Sequence, residues 1–225
     1  MRRKRTAASL AWIPHQPDAG EKRGLASRAA RVDSGATMAP PAEPRPRVVS
    51  LRAAQGGDAS LLARWRAEES VRRHQPLRDV TLPESRAELA ALRPSDLWRS
   101  TGERFQWIVL ADRDPVGWIT LQVVTWDHGL AEMGYALTTV EQGRGLMPAA
   151  LRLLLADLFA GTSLHRLEAR CAVENVPSQK VLERLGFVRE GLLRGYFDLR
   201  GRRVDNYLYA LLRSDWRAQI GSSEA

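Results

Sequence analysis

Period-two alternation of apolar and polar residues runs through several stretches of the first half of the chain and predicts β-strands. Two stretches that precede the strand Phe105–Leu110 have apolar residues at helical spacing. One begins at Gly57-Asp58 and directs Leu61, Leu62 and Trp65 inward, and the other covers Pro83–Trp98. The predicted strands of this half are Arg47–Ala54, Phe105–Leu110, Val116–Trp126 and Leu130–Leu137, the last three forming an antiparallel meander.

A helical pattern, in which apolar residues recur every three or four positions, follows a glycine turn in the middle of the chain. Its apolar stripe consists of Met147, Ala150, Leu151, Leu154 and Leu158, which predicts an amphipathic helix packed on a core. The predicted elements beyond it are strand Leu164–Ala172, helix Pro177–Gly186 and strands Phe187–Tyr196 and Val204–Leu212 around a loop at Asp198–Arg202, with Trp216 closing the domain.

Both termini differ in composition from this patterned region. Residues 1–46 lack sustained periodicity, are rich in Ala, Arg, Pro and Gly, and are predicted to form a disordered basic extension. They carry nine Lys or Arg against four acidic residues, and so hold five of the eight excess positive charges. A nucleic-acid-binding module is therefore ranked behind other classes. The predicted domain spans residues 47–216, residues 217–225 form a tail, and Met1 and Met38 are both candidate translation starts.

Cysteine and histidine usage excludes several kinds of site. Cys171 is the single cysteine, so neither an intramolecular disulfide nor a cysteine-based zinc site is expected. Its position inside a predicted strand indicates core packing rather than a nucleophile. The four histidines have no ligand spacing, so no metal is predicted. No apolar run reaches the roughly 18 residues of a membrane span, so no membrane contact and a cytoplasmic location are expected.

The glycine turn Gln142–Gly145 opens the central amphipathic helix and predicts an anion site. The first N–H groups of a helix lack partners, its dipole adds partial positive charge, and glycine allows a phosphate to approach the backbone closely. Arg144 adds a full positive charge. Two familiar phosphate motifs are excluded, because no Lys-Ser or Lys-Thr follows Gly145 and a third glycine is missing.

The turn resembles motif A of the GNAT N-acetyltransferases, Gln/Arg-x-x-Gly-x-Gly/Ala. It reads Gln142-Gly143-Arg144-Gly145-Leu146-Met147, so the first four positions fit and Met147 stands where Gly or Ala is usual. Asn175-x-x-Ser178 followed by Val181–Phe187 is similar to motif B of that family. With Glu190–Tyr196 and Arg203–Tyr209, this succession resembles the branch that contains the RimJ and RimL ribosomal-protein N-acetyltransferases.

The resemblance implies an α/β GNAT fold with a mixed central sheet of about seven strands and about four helices. It also implies acetyl-CoA as co-substrate, with its pantetheine between the splayed fourth and fifth strands, and direct attack of an amine on the thioester. Main-chain groups of Leu137, Thr138 and Thr139 are expected to pair with the pantetheine. The N–H groups of Gly143–Met147 are expected to hold the pyrophosphate. The cofactor-binding residues implied at this turn are Gln142, Gly143, Arg144, Gly145, Leu146 and Met147.

Two catalytic roles require side chains. Ser178, held with Asn175 near the sulfur, is expected to protonate the departing thiolate, and the compatible alternative is that both residues cap the following helix. Glu132 and Glu168 are the candidate bases for the amine, directly or through water. Either glutamate could instead form a structural pair with Arg166 or Arg170. Tyr196 is an alternative proton donor, although a role in packing is favoured for it.

Several acceptors remain open. An α-amine of pKa near ~7.8 is roughly 10–15% neutral at pH 7, against about 0.04% for lysine, so a weak base serves a protein N-terminus more easily. This favours a peptide α-amine, as in a ribosomal protein. The alternatives are a small amine, namely a polyamine or an aminoglycoside, and a non-catalytic acyl-CoA sensor, which Met147 keeps open. Glu68-Glu69 and Asp198 are the carboxylates offered for a polyamine. A monomer and a homodimer are both compatible.

Overall fold

The computed structural model describes residues 47–223, with side chains to residue 219. The predicted N-terminal extension, residues 1–46, lies outside the described residues. The β-strands are β1 (Val49–Ala53), β2 (Arg104–Ala111), β3 (Asp114–Thr125), β4 (Leu130–Leu137), β5 (Arg166–Ala172), β6 (Val188–Leu199) and β7 (Arg202–Leu212). The α-helices are α1 (Ala59–Ala67), α2 (Glu69–Arg72), α3 (Leu82–Ala91), α4 (Pro94–Trp98), α5 (Leu146–Gly161), α6 (Val176–Arg184) and α7 (Arg213–Ser223).

The described strands form one seven-stranded mixed sheet in the order β1-β2-β3-β4-β5-β7-β6. All neighbours are antiparallel except β4 and β5, which run parallel. Those two strands pair only where Leu130–Glu132 meets Arg166–Glu168, although both continue well beyond this point. The predicted mixed sheet and the splay of its fourth and fifth strands are therefore confirmed.

Two apolar layers cover the sheet. On one face α5 buries Ala150, Leu151, Leu154, Leu155 and Leu158, the stripe that its helical spacing predicts. On the other face, α1 and α3 pack a smaller cluster against the sheet, in which the Trp65 ring stacks on Trp118 with centroids 6.1 Å apart. The α1–α3 layer covers only one end of this face, so the sheet beside β4 opens into a cavity.

Seven helices occupy the described residues, not about four, because two predicted helices are divided and one is added. Glu68 takes an extended conformation and separates α1 from α2. The single helix expected over Pro83–Trp98 is broken at Leu92 and Arg93, since a residue before a proline avoids the helical region. Residues after Trp216 were expected to fray, but α7 extends through them.

The β6–β7 connection is tighter than the loop predicted at Asp198–Arg202. Both strands extend until only Arg200 and Gly201 remain between them, and both have positive φ, at 54° and 82°. Two residues of positive φ make the turn whose twist matches a hairpin. The Asp198 side chain accepts a hydrogen bond from the Gly201 N–H at 2.8 Å and closes the turn.

Candidate functional site

The parting of β4 and β5 opens a cavity of about 1600 Å³. One end of it is the glycine turn before α5, the middle is the gap between the two strands, and the other end lies beneath α1–α3. Leu137, Gln142, Gly143, Gly145, Leu146, Met147, Asn175 and Ser178 all line it, as does Glu132. The fold thus brings most of the residues expected from the sequence into one continuous space.

The glycine turn has the geometry of an anion cradle. Gly143 and Gly145 have φ of 77° and 75°, a left-handed conformation that side chains rarely adopt. No atom lies within 4 Å of the place where a Cβ would stand on either glycine, so the backbone can be approached closely. Gly145 is the N-cap of α5 and no side chain caps the helix, which leaves its first N–H groups for a ligand.

Three side chains of the motif leave this cradle open. Leu146 and Met147 are buried in the α5 core, so they offer only their N–H groups to a ligand. Met147 departs from the motif without blocking the turn, because its side chain packs inward. Arg144 is exposed and contacts Glu141 at 3.5 Å, a surface pair that leaves the guanidinium free to turn toward an anion.

The open edge of β4 carries main-chain groups for an extended ligand. Thr138 N–H donates to the Val116 carbonyl on β3 at 2.9 Å, and Thr139 N–H donates to the Glu68 carboxylate at 2.7 Å. Both predicted donors are therefore occupied. Because successive residues of a strand point their main-chain groups to opposite sides, Leu137 and Tyr135 present theirs to the gap. Sequence reasoning named Leu137 and missed Tyr135.

Side-chain amides occupy the carbonyls of this edge. Gln75, from the segment between α2 and α3, donates to the Tyr135 carbonyl at 2.9 Å, and Gln142 donates to the Leu137 carbonyl at 3.1 Å. The Gln142 side chain therefore orders the edge of β4, a role that the motif position alone does not reveal. The N–H groups of Tyr135 and Leu137 are the donors that remain on the side facing β5.

The segment that begins α6 places Asn175 and Ser178 on the opposite side of the gap. The Asn175 side chain accepts a hydrogen bond from Ser178 N–H at 3.3 Å and caps the helix, which confirms the capping role for this residue. The Ser178 hydroxyl is not used in capping and lies 2.8 Å from the Tyr135 hydroxyl. Burial raises the pKa of Tyr135, so its phenol keeps its proton at neutral pH.

The two candidate bases differ in their access to the cavity. Glu132 and Glu168 are direct partners in the β4–β5 register. Glu132 lines the cavity and forms an ion pair with Arg170, whereas Glu168 is absent from its described lining and pairs with Arg166 at 2.9 Å. Arg166 continues the network to Glu190, whose carboxylate raises the pKa of the guanidinium. The structural pairs foreseen with Arg166 and Arg170 are therefore present.

Cys171 is buried in the core below Ser178, as its strand position predicts. Burial raises the pKa of its thiol to about 11, so the thiolate form is scarce at neutral pH. Its Sγ lies 3.6 Å from the carbonyls of Ala172 and Asn175. These features are those of a structural cysteine.

His74 lines the cavity and was missed by the sequence analysis, since no motif surrounds it. Burial lowers its pKa, Arg73 and Arg202 lower it further, and Glu174 opposes them. The imidazole is thus neutral at pH 7 and able to accept a proton. Its neighbour Gln75 bonds to the Tyr135 carbonyl, which holds this segment over the open edge of β4.

Comparison with known proteins gives the family. The model of the acetyltransferase (GNAT) domain matches residues 49–188. The chain belongs to the GNAT family of N-acetyltransferases. It is 30% identical over 171 residues, which are 75% of this chain and 94% of the relative, to an uncharacterized N-acetyltransferase p20 of Bacillus licheniformis.

The chain is also similar to proteins of the RimJ/RimL branch and to polyamine N-acetyltransferases. A ribosomal protein uS5-alanine N-acetyltransferase of Escherichia coli is 34% identical over 84 residues, which are 37% of this chain and 43% of that protein. The structure of RimJ from Mycobacterium smegmatis with a CoA-disulfide has a TM-score of 0.62 at 26% identity, and covers 77% of this chain and 89% of its own. Mutant forms of the spermidine/spermine N-acetyltransferase SpeG from Vibrio cholerae have a TM-score of 0.64 at 21% identity, covering 76% and 98%.

Two kinds of feature are absent from residues 47–223. None of the helices there combines the length and the apolar character that a membrane-spanning helix needs. Within the same part of the chain, no group of three His, Cys, Asp or Glu side chains is arranged to hold a metal ion.

Proposed function

We propose that this N-acetyltransferase moves the acetyl group of acetyl-CoA to the α-amine at the N-terminus of a protein, of the ribosomal-protein type, in the cytoplasm. The observation that carries the proposal is the length of the cavity. It continues from the glycine turn past the gap to β2, and its volume of about 1600 Å³ exceeds the roughly 300–1000 Å³ of pockets for one small ligand. The cavity has room for both the pantetheine and an acceptor chain.

In this proposal the chain's own groups divide the work of binding. The N–H groups of Gly143–Met147 hold the pyrophosphate at the start of α5. The open edge of β4 pairs with the pantetheine through Tyr135 and Leu137 in the manner of an added strand. One of these two N–H groups also stabilises the oxyanion that forms when the amine attacks the thioester carbonyl.

Proton transfer accompanies the attack on both sides of the reacting carbon. The amine nitrogen bonds to the carbonyl carbon and loses a proton to Glu132 through water. The carbon–sulfur bond then breaks, and the thiolate takes the proton of the Ser178 hydroxyl. The Tyr135 hydroxyl, 2.8 Å from Ser178 Oγ, passes a proton to the serine and regains one from water, so that both hydroxyl groups end the cycle protonated. A carboxylate that acts through water suits an α-amine, part of which is already neutral at pH 7.

A small polyamine acceptor is the second candidate, favoured by the structural similarity to SpeG. Each carboxylate that the sequence offers for it already has a partner within the protein. Glu68 accepts hydrogen bonds from the Thr139 N–H and hydroxyl, and Glu69 contacts Arg200 at 3.4 Å. Of these carboxylates Asp198 lines the cavity and the other two do not. The sensor alternative is weakened because Met147 packs into the core instead of the turn.

Thiol release from acetyl-CoA tests the proposal. The acceptors are peptides that begin with Ala, Ser, Thr or Met, together with spermidine and an aminoglycoside. Turnover on peptides alone is expected. Turnover only on the small amines would overturn the protein-acceptor proposal and keep the chemistry. Absence of turnover despite thermal stabilisation by acetyl-CoA would favour the sensor.

A further inference from the structure

Arg66, on α1, is an unpaired guanidinium in the wall of the cavity beneath the helices. Its Nε atom is buried and has no hydrogen-bond partner. Within residues 47–219, no carboxylate lies within 4.0 Å of its guanidinium nitrogens, the distance of an ion pair. Burial lowers the pKa of Arg66, a sign that the protein compensates this charge poorly.

The charges that act on the Arg66 guanidinium are mostly positive. Glu88 raises its pKa, whereas Arg104 and Arg78 lower it, so three guanidinium groups share one carboxylate in this set. Glu88 is already held by Arg78 at 2.9 Å. Arg66 is partly buried, and a partly buried cation without a counter-ion is stabilised when a ligand provides one.

The adjacent amide of Gln106 adds a neutral donor. Its Nε2 is buried without a partner in the described structure, and the residue lines the same wall as Arg104. We call the residues at this end of the cavity the far arm: Arg66, Arg78, Glu88, Arg104 and Gln106. The donors of the far arm thus outnumber its one carboxylate, Glu88, which fits an incoming carboxylate. Asp96 and Glu103 also line the cavity, but neither is among the charges that shift the Arg66 pKa.

The register of the strands gives the distance between the β2 residues of the far arm and the proposed site of attack, beside β4. Gln106 is in register with Thr120, which is in register with Gly134, and Arg104 is linked through Gln122 to Glu132. Two steps between neighbouring strands span about 10 Å. An extended peptide advances about 3.4 Å per residue, so about three residues cover this distance.

We propose that the far arm binds a carboxylate side chain within the first four residues of the acceptor, so that the substrates are proteins with acidic N-terminal segments. The inference rests on the proposed transfer to a protein α-amine and adds its specificity. The guanidinium groups of Arg66 and Arg104 engage the carboxylate, and Gln106 assists as a neutral donor. A polycation is repelled by the same groups.

Three peptides with the same first residue test the inference: Ser-Gly-Glu-Glu, Ser-Gly-Gln-Gln and Ser-Gly-Lys-Lys, each extended by one common neutral sequence. The wild-type kcat/KM is expected to be about tenfold higher for the acidic peptide than for the neutral one, the size of a charge-assisted hydrogen bond. The basic peptide is expected to be poorer than the neutral one.

Variants of far-arm residues test whether these side chains cause the preference for the acidic peptide. Arg66→Gln is expected to bring the acidic-to-neutral ratio of kcat/KM within twofold of unity. Arg64→Gln is the matched control, since Arg64 lies on the same helix, is exposed and does not line the cavity. Arg104→Gln is a second test, because Arg104 is exposed and its replacement does not threaten the fold.

The outcomes separate the two proposals. Equal rates on the three peptides, a preference for the basic one, or a ratio that survives both Arg66→Gln and Arg104→Gln would overturn the acidic specificity and leave α-amine transfer standing. Turnover on spermidine with none on any peptide would overturn the proposed function itself.

Discussion

The hydroxyl groups of Tyr135 and Ser178 lie 2.8 Å apart and link β4 to the start of α6 across the gap between the splayed strands. Tyr135 also donates to the Ser178 carbonyl at 3.3 Å, so the phenol is held against this turn by two contacts. A protonated phenol beside a serine hydroxyl forms a short path along which a proton can reach a thiolate.

The first prediction follows from this pair. Ser178→Ala removes the proposed proton donor to the thiolate and is expected to lower kcat by about 10²-fold or more, the usual contribution of a positioned acid. Tyr135→Phe removes only the replacement proton, so a smaller loss is expected. Acetyl-CoA affinity, measured by calorimetry, stays within a few-fold in both. Ser163→Ala, whose hydroxyl contacts Ser100 outside the cavity lining, is the control. Equal kcat in Ser178→Ala and wild type would contradict the role.

A second prediction concerns the residue that departs from motif A. Met147 is buried in the core at 4% exposure, so Met147→Ala leaves a cavity and is expected to lower the free energy of unfolding by about 2–4 kcal/mol. Acetyl-CoA affinity should change less than twofold at a temperature where the variant is folded. Urea unfolding and calorimetry check the two parts. A large gain in affinity would mean that the methionine obstructs the turn after all.

The third prediction separates Glu132 from Glu168. Glu132→Gln is expected to lower kcat/KM for a peptide by about 10²-fold at pH 7, and Glu168→Gln by less, because only the first of these carboxylates lines the cavity. By pH 9 an α-amine is mostly neutral and needs no base, so the Glu132→Gln defect should shrink. Initial rates at both pH values measure this. An unchanged defect would show that Glu132 acts by holding Arg170.

His74 leads to a fourth prediction, on stability. Because its pKa is lowered by burial and by Arg73, the unfolded chain binds the proton more readily than the folded one. Below the ordinary pKa of about 6.5, the free energy of unfolding therefore falls as pH falls, until the folded imidazole also titrates. Urea unfolding at pH 7.5 and 5.5 should show a smaller decrease in His74→Gln than in wild type. His128→Gln, in an exposed turn, is the comparison. The same decrease in His74→Gln and wild type would contradict the account.

The strands and the glycine turn could be predicted because they depend on local patterns, whereas the splay of the fourth and fifth strands was implied by the resemblance to the GNAT family. Alternation marks a half-buried strand, and two glycines before an apolar stripe mark a helix that starts without a side-chain cap. The division of α1 from α2 could not be predicted. It depends on Glu68, which turns extended and reaches Thr139, a residue far along the chain.

The same limit applies to the site. Asn175 and Ser178 carry a sequence motif, whereas Tyr135, Gln75 and Arg66 acquire their roles only from neighbours that the fold brings to them. The hydrogen bond from Gln75 to the Tyr135 carbonyl joins residues that no local pattern connects. Thr138 illustrates the reverse case, because its place in the motif region suggested a ligand contact while its N–H pairs with Val116 on β3.

The most direct test of the account uses one peptide that begins with serine and carries an internal lysine, mixed with an equal concentration of spermidine and limiting acetyl-CoA. Fragmentation mass spectrometry of the products locates the acetyl group. Acetylation of the peptide α-amine is expected, with the lysine side chain and spermidine left unmodified. Acetyl-spermidine as the main product, or acetylation of the lysine, would contradict transfer to a protein N-terminus.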